Sequence, residues 1–503
     1  MITLIILVFV SVVLGALLGL LCGIVPALHQ NNLAILLLLI FPAYTTLSSH
    51  LCPTGVFFGF IAMFIAAICA HNFSDILGSV LTGVPDGSEL LTLQPAQRLM
   101  LKGEGHKLIS AALYGSVAGI LIGLALLLPV KLLLSEPVNL YESARKWIPL
   151  VLVSVAALIV LSEKSTFERI GKKFFVVDVG EGPSDCTALR SIRGKILQLE
   201  NGRKGKIQVA KRIISFDAKK NLKLKQGEIA TLQGIFVPEL KENRSKPVLL
   251  ALSIFLLSGF LGWTVLFTPL ASSSSFTLLF PLFTGLFGVA GLIVNITSPA
   301  KLPEQKEIHD TKAGNGNGKV VGGAIAGMVI GIFPGITPGC GAVLLNTKGT
   351  KPEQYIALTS AIETSAFVFN IAALFIIQKT RSGAIATLEQ FYGLSTAWNN
   401  VSDISPLLSL ALFAVSLSTL CALLVLPKLG RLLLRKAKFF VRKEFQIGIL
   451  IVIVISVFIV CGITGILVLC IATLIGLIPL LLNLRRIHLM GSILLPVTIV
   501  LMV

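Results

Sequence analysis

Apolar runs long enough to cross a lipid bilayer recur along this chain, and they constrain its fold more than any other feature. A transmembrane helix needs about 20 apolar residues to cross a hydrocarbon core of about 30 Å. Backbone in lipid must satisfy its own hydrogen bonds, so such runs form helices. Long runs predict spans near 1–22, 108–130, 147–161, 247–269, 275–297, 405–426, 445–460 and 463–482. Shorter or interrupted runs lie at 33–47, 54–82, 320–346, 354–378 and 487–503. The sequence therefore predicts an all-α polytopic membrane protein with roughly ten to fourteen membrane elements.

The charge distribution agrees with a multi-pass protein of the cell membrane. Charged residues make up 13% of the chain, against about 25% in soluble proteins, and residues 1–97 contain no Lys or Arg. Basic residues in membrane proteins mark cytoplasmic loops, which accounts for the net charge of +18. We therefore expect membrane lipid, and not nucleic acid, to be a partner of this chain.

Residues 163–246 differ from the rest of the chain. They include 19 Lys and Arg residues against 10 Asp and Glu residues. Apolar and polar residues alternate in 192–199, 205–209 and 229–237, which indicates short strands joined by turns. We predict a soluble basic domain folded as a small β-barrel similar to the oligonucleotide-binding fold. Base-stacking aromatic residues are sparse in it, so we expect a cytoplasmic scaffold or docking domain and not a single-strand binder.

An internal repeat relates the two membrane regions on either side of this insertion. Residues 15–37 align with residues 323–345 at a constant offset of 308, with nine identical positions. The predicted divisions are a first repeat at 1–162, the basic domain at 163–246, a transmembrane hairpin at 247–300, a linker at 301–319 and a second repeat at 320–503. Duplicated halves are typical of secondary transporters. The charge-free N-terminus predicts an outside start for the first copy and an inside start for the second, which makes the repeats inverted.

Both copies interrupt an apolar run with Gly and Pro at the same place. Such residues break a helix, and unwound backbone in a membrane is tolerated only inside protein or beside water. A short helix that resumes after the break offers free N–H groups to an anion, with Asn31 or Asn32 as a cap in the first copy and Thr337 in the second. The residues predicted to bind substrate are Pro26, His29, Gln30, Asn31, Asn32, Pro334, Gly335, Thr337, Pro338 and Gly339. The alternative is a pair of re-entrant proline kinks without a ligand.

Polar residues elsewhere in apolar stretches predict ion coupling. Ionisable side chains in a bilayer are costly and usually face protein or water. The candidates are Asp75, Glu363, Thr364 and Asn370, with H⁺ or Na⁺ as the coupling ion and no cofactor. The alternative is that these residues lie at the membrane interface.

Three stretches of the chain resemble the large membrane subunit of the tripartite tricarboxylate transporters, the TctA family. They are 23–32, 79–85 followed by 98–105, and 331–335, each with Gly, Pro or small residues where that family has them. The resemblance implies a solute permease that works with a small membrane subunit and an extracytoplasmic solute-binding protein. The insertion at 163–246 is not part of the usual subunit, so the chain is expected to be a divergent member.

Two functions remain open from the sequence. The first is a permease or permease subunit for a small organic anion such as a carboxylate, working by alternating access between inverted halves. The second is a non-transporting membrane anchor that presents the basic β-domain to a partner or to nucleic acid. The chain lacks a P-loop, a dinucleotide fingerprint or a nucleophile motif, so an enzyme is not expected.

Overall fold

A computed structural model of the chain consists of two compact units. It describes residues 2–25, 28, 30–50, 52, 55–82, 93–136, 138–163, 166–179, 190–201, 203–209, 212–218, 222, 224–243, 245–268, 277–297, 302–306, 317–333, 338–345, 350–393, 397–398, 400 and 402–502. One unit, the membrane unit, comprises Met1–Ser162 and Ala251–Val503, and the other, the β unit, comprises Glu163–Leu250.

The membrane unit is built from helices. They are α1 (Ile2–Gly23), α2 (Gln30–Leu39), α3 (Phe41–Ser49), α4 (Val56–Thr82), α5 (Leu93–Leu101), α6 (Gly105–Leu134), α7 (Leu140–Arg145), α8 (Ile148–Leu161), α9 (Ser245–Phe267), α10 (Leu279–Phe283), a π-helix (Thr284–Val289), α11 (Ala290–Thr297), α12 (Asn317–Ile332), α13 (Pro338–Leu345), α14 (Pro352–Ile376), α15 (Gly383–Tyr392), α16 (Pro406–Arg435), α17 (Ala437–Phe440), α18 (Lys443–Leu481), a 3₁₀ helix (Arg486–Met490) and α19 (Gly491–Met502). Eight of the described helical segments are long and apolar enough to cross a membrane: α1, α4, α6, α9, Leu279–Thr297, α14, α16 and α18. The predicted polytopic helical fold is confirmed.

The longest helix, α18, is a hairpin of two legs. It has 39 residues, about twice the number that a bilayer requires. Gly462 has φ 61° and ψ −154°, and the carbonyl oxygen of Val457 lies 3.4 Å from the position that a Cβ on Gly465 would occupy. In a continuous helix those residues would be about 12 Å apart. The chain therefore reverses at Gly462, as the separate spans predicted at 445–460 and 463–482 require.

The reversal predicts opposite effects for two glycine substitutions in α18. Gly462→Ala is expected to lower the free energy of unfolding by about 1–3 kcal/mol, because only glycine adopts this backbone conformation readily. Gly448→Ala lies in a helical leg with open space around the added methyl group and is expected to raise stability by up to about 1 kcal/mol. Thermal unfolding in detergent measures both, and equal shifts would contradict the hairpin turn.

The two repeats contain equivalent pairs of closely packed helices. Glycines of α1 contact the backbone of α4, and glycines of α12 contact the backbone of α14. The pairs are Gly15 with Met63, Gly19 with Ala67, Gly23 with His71, Gly323 with Leu358, Gly327 with Ile362, and Gly331 with Ala366. Residue numbers rise along both members, so each pair is parallel. The glycines repeat at an offset of 308 and their partners at an offset of 295, which makes α4 and α14 equivalent.

The third helix of each repeat packs on the second helix of the other repeat. The Thr364 hydroxyl of α14 donates a 2.9 Å hydrogen bond to the Ser116 carbonyl of α6. At the equivalent position, the Cys69 thiol of α4 lies 3.8 Å from the Val415 carbonyl of α16. Helix α6 of the first repeat therefore packs on α14 of the second, and α16 of the second repeat packs on α4 of the first. Three helices of each repeat thus form one intertwined core of six helices.

Contacts at the helix ends confirm that the repeats are inverted. Side-chain atoms of Leu434 and Ile109 approach Gly105 and Gly430 respectively, so the end of α16 lies beside the start of α6. Residues near the start of α4 and near the end of α14 line one small apolar cavity: Ile61, Ile65, Ile371, Leu374 and Phe375. Equivalent helices of the two repeats therefore cross the membrane in opposite directions, as inverted repeats require.

One end of the membrane unit, the basic end, collects most of its charge. The start of α6 and the start of α14 meet there through Lys107 and Glu353, 3.9 Å apart, and Lys438 forms a 2.9 Å ion pair with Glu304. The Glu304 carboxylate is exposed, and its hydrogen bond with Lys438 lowers its pKa. The opposite end holds the starts of α1 and α4, the ends of α12 and α14, and α7. The N-terminal end of α1 and segment 302–306 therefore lie at different ends of the unit.

The β unit is a five-stranded barrel. Its strands are β1 (Thr166–Val179), β2 (Arg190–Glu200), β3 (Lys204–Val209), β4 (Arg212–Ala218) and β5 (Ile229–Asn243), in the order β1-β4-β3-β2-β5. Alternate residues fill its interior, including Ile196, Ile207, Phe216 and Leu232, which are fully buried. The intervening positions carry exposed charges such as Lys195 and Lys206. The predicted inserted sheet is confirmed.

Candidate functional site

Both predicted helix breaks are present at equivalent positions. α1 ends at Gly23 and α2 begins at Gln30, while α12 ends at Ile332 and α13 begins at Pro338. Gln30 and Pro338 are again separated by 308 residues. Gln30 and Pro338 are half-buried, and Gly339 is buried in the first turn of α13. The predicted site residues Pro26, His29, Pro334, Gly335, Thr337 and the side chain of Asn32 lie outside the part of the chain that the structure describes.

Each break follows a glycine that packs beside a polar residue of the neighbouring helix. A Cβ on Gly23 would lie 3.0 Å from the backbone nitrogen of Asp75, and one on Gly331 would lie 3.2 Å from that of Asn370. Asp75 and Asn370 are therefore equivalent in the two repeats. The structure places two of the predicted ion-coupling residues next to the two breaks, one acidic and one neutral.

The first break also contacts the polar segment of α4 directly. His71 Nε2 lies 2.6 Å from the carbonyl oxygen of Leu28, which belongs to the break. One turn further, Asp75 is 7% exposed, and its Oδ1 accepts a 2.7 Å hydrogen bond from the N–H of Ile76. Buried polar groups in a membrane helix usually face protein or a cavity. These contacts anchor the break to α4 and place a carboxyl group within a turn of it.

Thr364 and Glu363 occupy the middle of α14. The Thr364 hydroxyl shares its single proton between two carbonyl oxygens, that of Ser116 in α6 and that of Ser360 in its own helix, each 2.9 Å away. Glu363 is half-buried and precedes Asn370 by about two turns, or about 10 Å along the axis. The described contacts of Thr364 are those of a packing residue, and its predicted part in ion coupling stays a prediction.

The first break reaches the start of α15. Asn31 Oδ1 accepts a 3.0 Å hydrogen bond from the N–H of Ala384, and the Ser382 hydroxyl accepts one from Ile385 at 3.3 Å. Asn31 is one of the two residues predicted to cap α2, and its side chain caps α15, a helix of the second repeat. Gly383 permits this approach, because a Cβ there would lie 2.9 Å from the Asn31 side chain.

The second break reaches the residues just before α15 through two aromatic rings. Phe333, the last described residue before that break, stacks on Tyr141 at 6.4 Å between centroids. The Tyr141 hydroxyl accepts a hydrogen bond from Arg381 Nη2, and the guanidinium carbon lies 5.4 Å from the ring centroid. Burial lowers the pKa of Arg381, and its interactions with Tyr141 oppose that shift. An arginine side chain stays charged in proteins. The first break therefore meets the first turn of α15, and the second break reaches the residues just before it.

Arg381 and Tyr141 are not among the site residues that the sequence predicts. Arg381 lies in a short polar connection that reads as an ordinary interfacial loop, and Tyr141 is about 240 residues away in the chain. A faint signal was present, because Arg381 is one of few basic residues between long apolar runs in the second repeat.

Comparison with known proteins identifies the family of this chain. The model of the tripartite tricarboxylate transporter TctA family matches residues 9–176 and 229–491, and the gap falls within the β unit. An uncharacterized protein of Methanocaldococcus jannaschii is 28% identical over 157 residues, which cover 31% of this chain and 37% of that protein. No solved structure matches. The chain therefore spans well under half of that relative, but the family match covers most of the chain. The intertwined, broken-helix membrane protein belongs to the tripartite tricarboxylate transporter TctA family.

Proposed function

We propose that this chain is the translocating subunit of a secondary transporter for a small carboxylate anion, working by alternating access. The family is one of tricarboxylate transporter components. The observation that carries the proposal is the convergence of both breaks on the start of α15 and the residues just before it, through Asn31 on one side and Tyr141 on the other. Inverted repeats that hold broken helices around one place are the architecture of secondary transporters.

The anion would bind to backbone N–H groups beside the breaks. The first turns of α2 and α13 begin within the membrane unit, where helix N-termini carry partial positive charge. Asp75 would serve the coupling ion, H⁺ or Na⁺, and Asn370 would be its neutral counterpart in the other repeat. Because only one of the two equivalent positions can ionise, coupling would act through the first repeat.

The partners follow from the family. TctA proteins work with a small membrane subunit and an extracytoplasmic solute-binding protein, and we propose the same assembly for this chain. The basic end would face the cytoplasm, since basic loops are retained there. We also propose a cytoplasmic β unit, as its excess of basic residues favours.

A thermal-shift screen tests the substrate class. Purified protein in detergent is heated with citrate, tricarballylate and glutarate, with and without Na⁺, at two pH values. A ligand at about 100 times its Kd adds about 2.7 kcal/mol of stability, which is readily detected. A shift with one of these anions supports the proposal, and its dependence on Na⁺ or pH identifies the coupling ion. Failure of every carboxylate to shift the protein contradicts it.

Asn31→Ala tests whether the contact between the repeats matters for transport. Loss of a helix cap costs about 0.5–2 kcal/mol, so we expect citrate uptake into proteoliposomes to fall about tenfold, the equivalent of about 1.4 kcal/mol. Thr387→Ala is the matched control, because the Thr387 hydroxyl donates to Gly383 within α15 at 2.8 Å. Its uptake should stay within about twofold of wild type. Equal uptake by the Asn31 variant and wild type would remove this contact from the transport site.

A further inference from the structure

We infer that Arg381 is the cationic group that binds a carboxylate of the transported anion. This inference rests on the proposed function and adds a residue that neither the breaks nor the family match identifies. Arg381 precedes α15 by two residues, and the start of α15 is where Asn31 of the first break makes its hydrogen bond. Tyr141 connects it to Phe333 at the second break. Arg381 therefore lies three residues before the partner of Asn31 in the first break and, through Tyr141, one contact away from the second break.

The charge of Arg381 has no carboxylate counter-ion among the residues that the structure describes. Its contacts there are the Tyr141 hydroxyl and the Tyr141 ring, and the electrostatic neighbour besides Tyr141 is another cation, Arg145. Arg145 differs, since it lies 3.8 Å from Glu142 and is largely exposed. A half-buried cation without a counter-ion is costly, and an incoming anion would remove that cost.

The guanidinium also keeps a donor available. Arg381 Nε is inaccessible to solvent, and no described acceptor lies within hydrogen-bond distance of it. Arginine offers five N–H donors in a planar fork that matches the two oxygens of a carboxylate. Tyr141 holds Nη2 and one face of the fork, which fixes the orientation of the remaining donors. A cation of fixed orientation with a buried N–H donor that has no described acceptor is suited to binding a carboxylate.

The position of Arg381 fits the direction of substrate entry. It lies at the end of α14, opposite the basic end, and therefore on the face that the positive-inside rule assigns to the extracytoplasmic side. An anion arriving from outside would meet Arg381 first and the N–H groups of the breaks next. Because those N–H groups bind any small anion, Arg381 would supply the geometric preference for a carboxylate.

Citrate affinity of four purified proteins tests the inference: wild type, Arg381→Gln, Arg381→Lys and Arg145→Gln. A charge-assisted hydrogen bond to a carboxylate is strong, so Arg381→Gln should weaken citrate binding at least tenfold. Arg381→Lys should be intermediate, because it keeps the charge and loses the fork. Arg145→Gln, which removes a nearby exposed cation, should stay within twofold. The midpoint of thermal unfolding without ligand should not fall in Arg381→Gln, which separates loss of binding from loss of folding.

Each other outcome has a definite meaning. Wild-type citrate binding with unchanged affinity in Arg381→Gln overturns the role of Arg381 and leaves the proposed function standing. Equal affinity of wild type for inorganic phosphate and for citrate overturns the carboxylate preference. An equal loss in Arg145→Gln and Arg381→Gln overturns the inference in favour of general electrostatic attraction. Failure of the wild type to bind any carboxylate removes the proposed function and this inference together.

Discussion

Gly323→Leu is expected to prevent the membrane unit from folding to a single monodisperse species. The position that a Cβ would occupy on Gly323 lies 2.6 Å from the carbonyl oxygen of Leu358 and 3.0 Å from its Cδ1. The closer contact is to backbone, which cannot rotate away, so α12 must move off α14. Overpacking usually costs about 1–3 kcal/mol, and forcing two helices apart also removes the close packing that holds membrane helices together. Size-exclusion profiles and thermal midpoints of detergent-purified protein measure the effect.

Gly322→Leu is the matched control. It is the adjacent residue in the same helix, and nothing lies within 4 Å of the position of its Cβ. It should give the profile of wild type, with a thermal midpoint no lower, since leucine favours helix over glycine by roughly 1 kcal/mol. If both variants fold equally well, α12 does not pack on α14 through its glycine face.

Cysteine accessibility is expected to give opposite results for Glu142→Cys and Glu304→Cys in a background without the native cysteines. Glu142 lies in α7 at the end of the unit opposite to the basic end, and Glu304 lies at the basic end. Both are exposed and form surface ion pairs, which contribute little to stability. In intact cells, a membrane-impermeant maleimide should label the cysteine at position 142. It should label the cysteine at position 304 only after the membrane has been opened.

The labelling distinguishes inversion from orientation. Labelling of both positions from one side would contradict the inverted arrangement. Labelling of position 304 alone in intact cells would keep the inversion and reverse the orientation, so that Arg145 and Lys146 would count among the cytoplasmic charges. The predicted result requires those two basic residues to lie outside, which is permitted because Glu142 offsets part of their charge.

The sequence alone determined the elements of this protein and the positions of their interruptions. Hydropathy located the spans, because a helix in lipid must present about 20 apolar residues whatever its neighbours are. Gly and Pro located both breaks, since they act on local backbone geometry. The β unit was visible because strand alternation has a period of two and differs from the surrounding helices. These signals are local, and each was sufficient without knowledge of contacts.

Only the tertiary structure decided which helices touch and which polar groups meet. Faces toward lipid and faces toward protein are both apolar in a membrane helix, so composition does not identify partners. The equivalence of α4 and α14 is weak in sequence and follows from the residues that Gly23 and Gly331 contact. The exchange of α6 and α16, the hydrogen bond between Asn31 and Ala384 and the contact of Arg381 with Tyr141 all join residues hundreds of positions apart. Such contacts depend on how the intertwined repeats pack, and no local pattern in the chain records them.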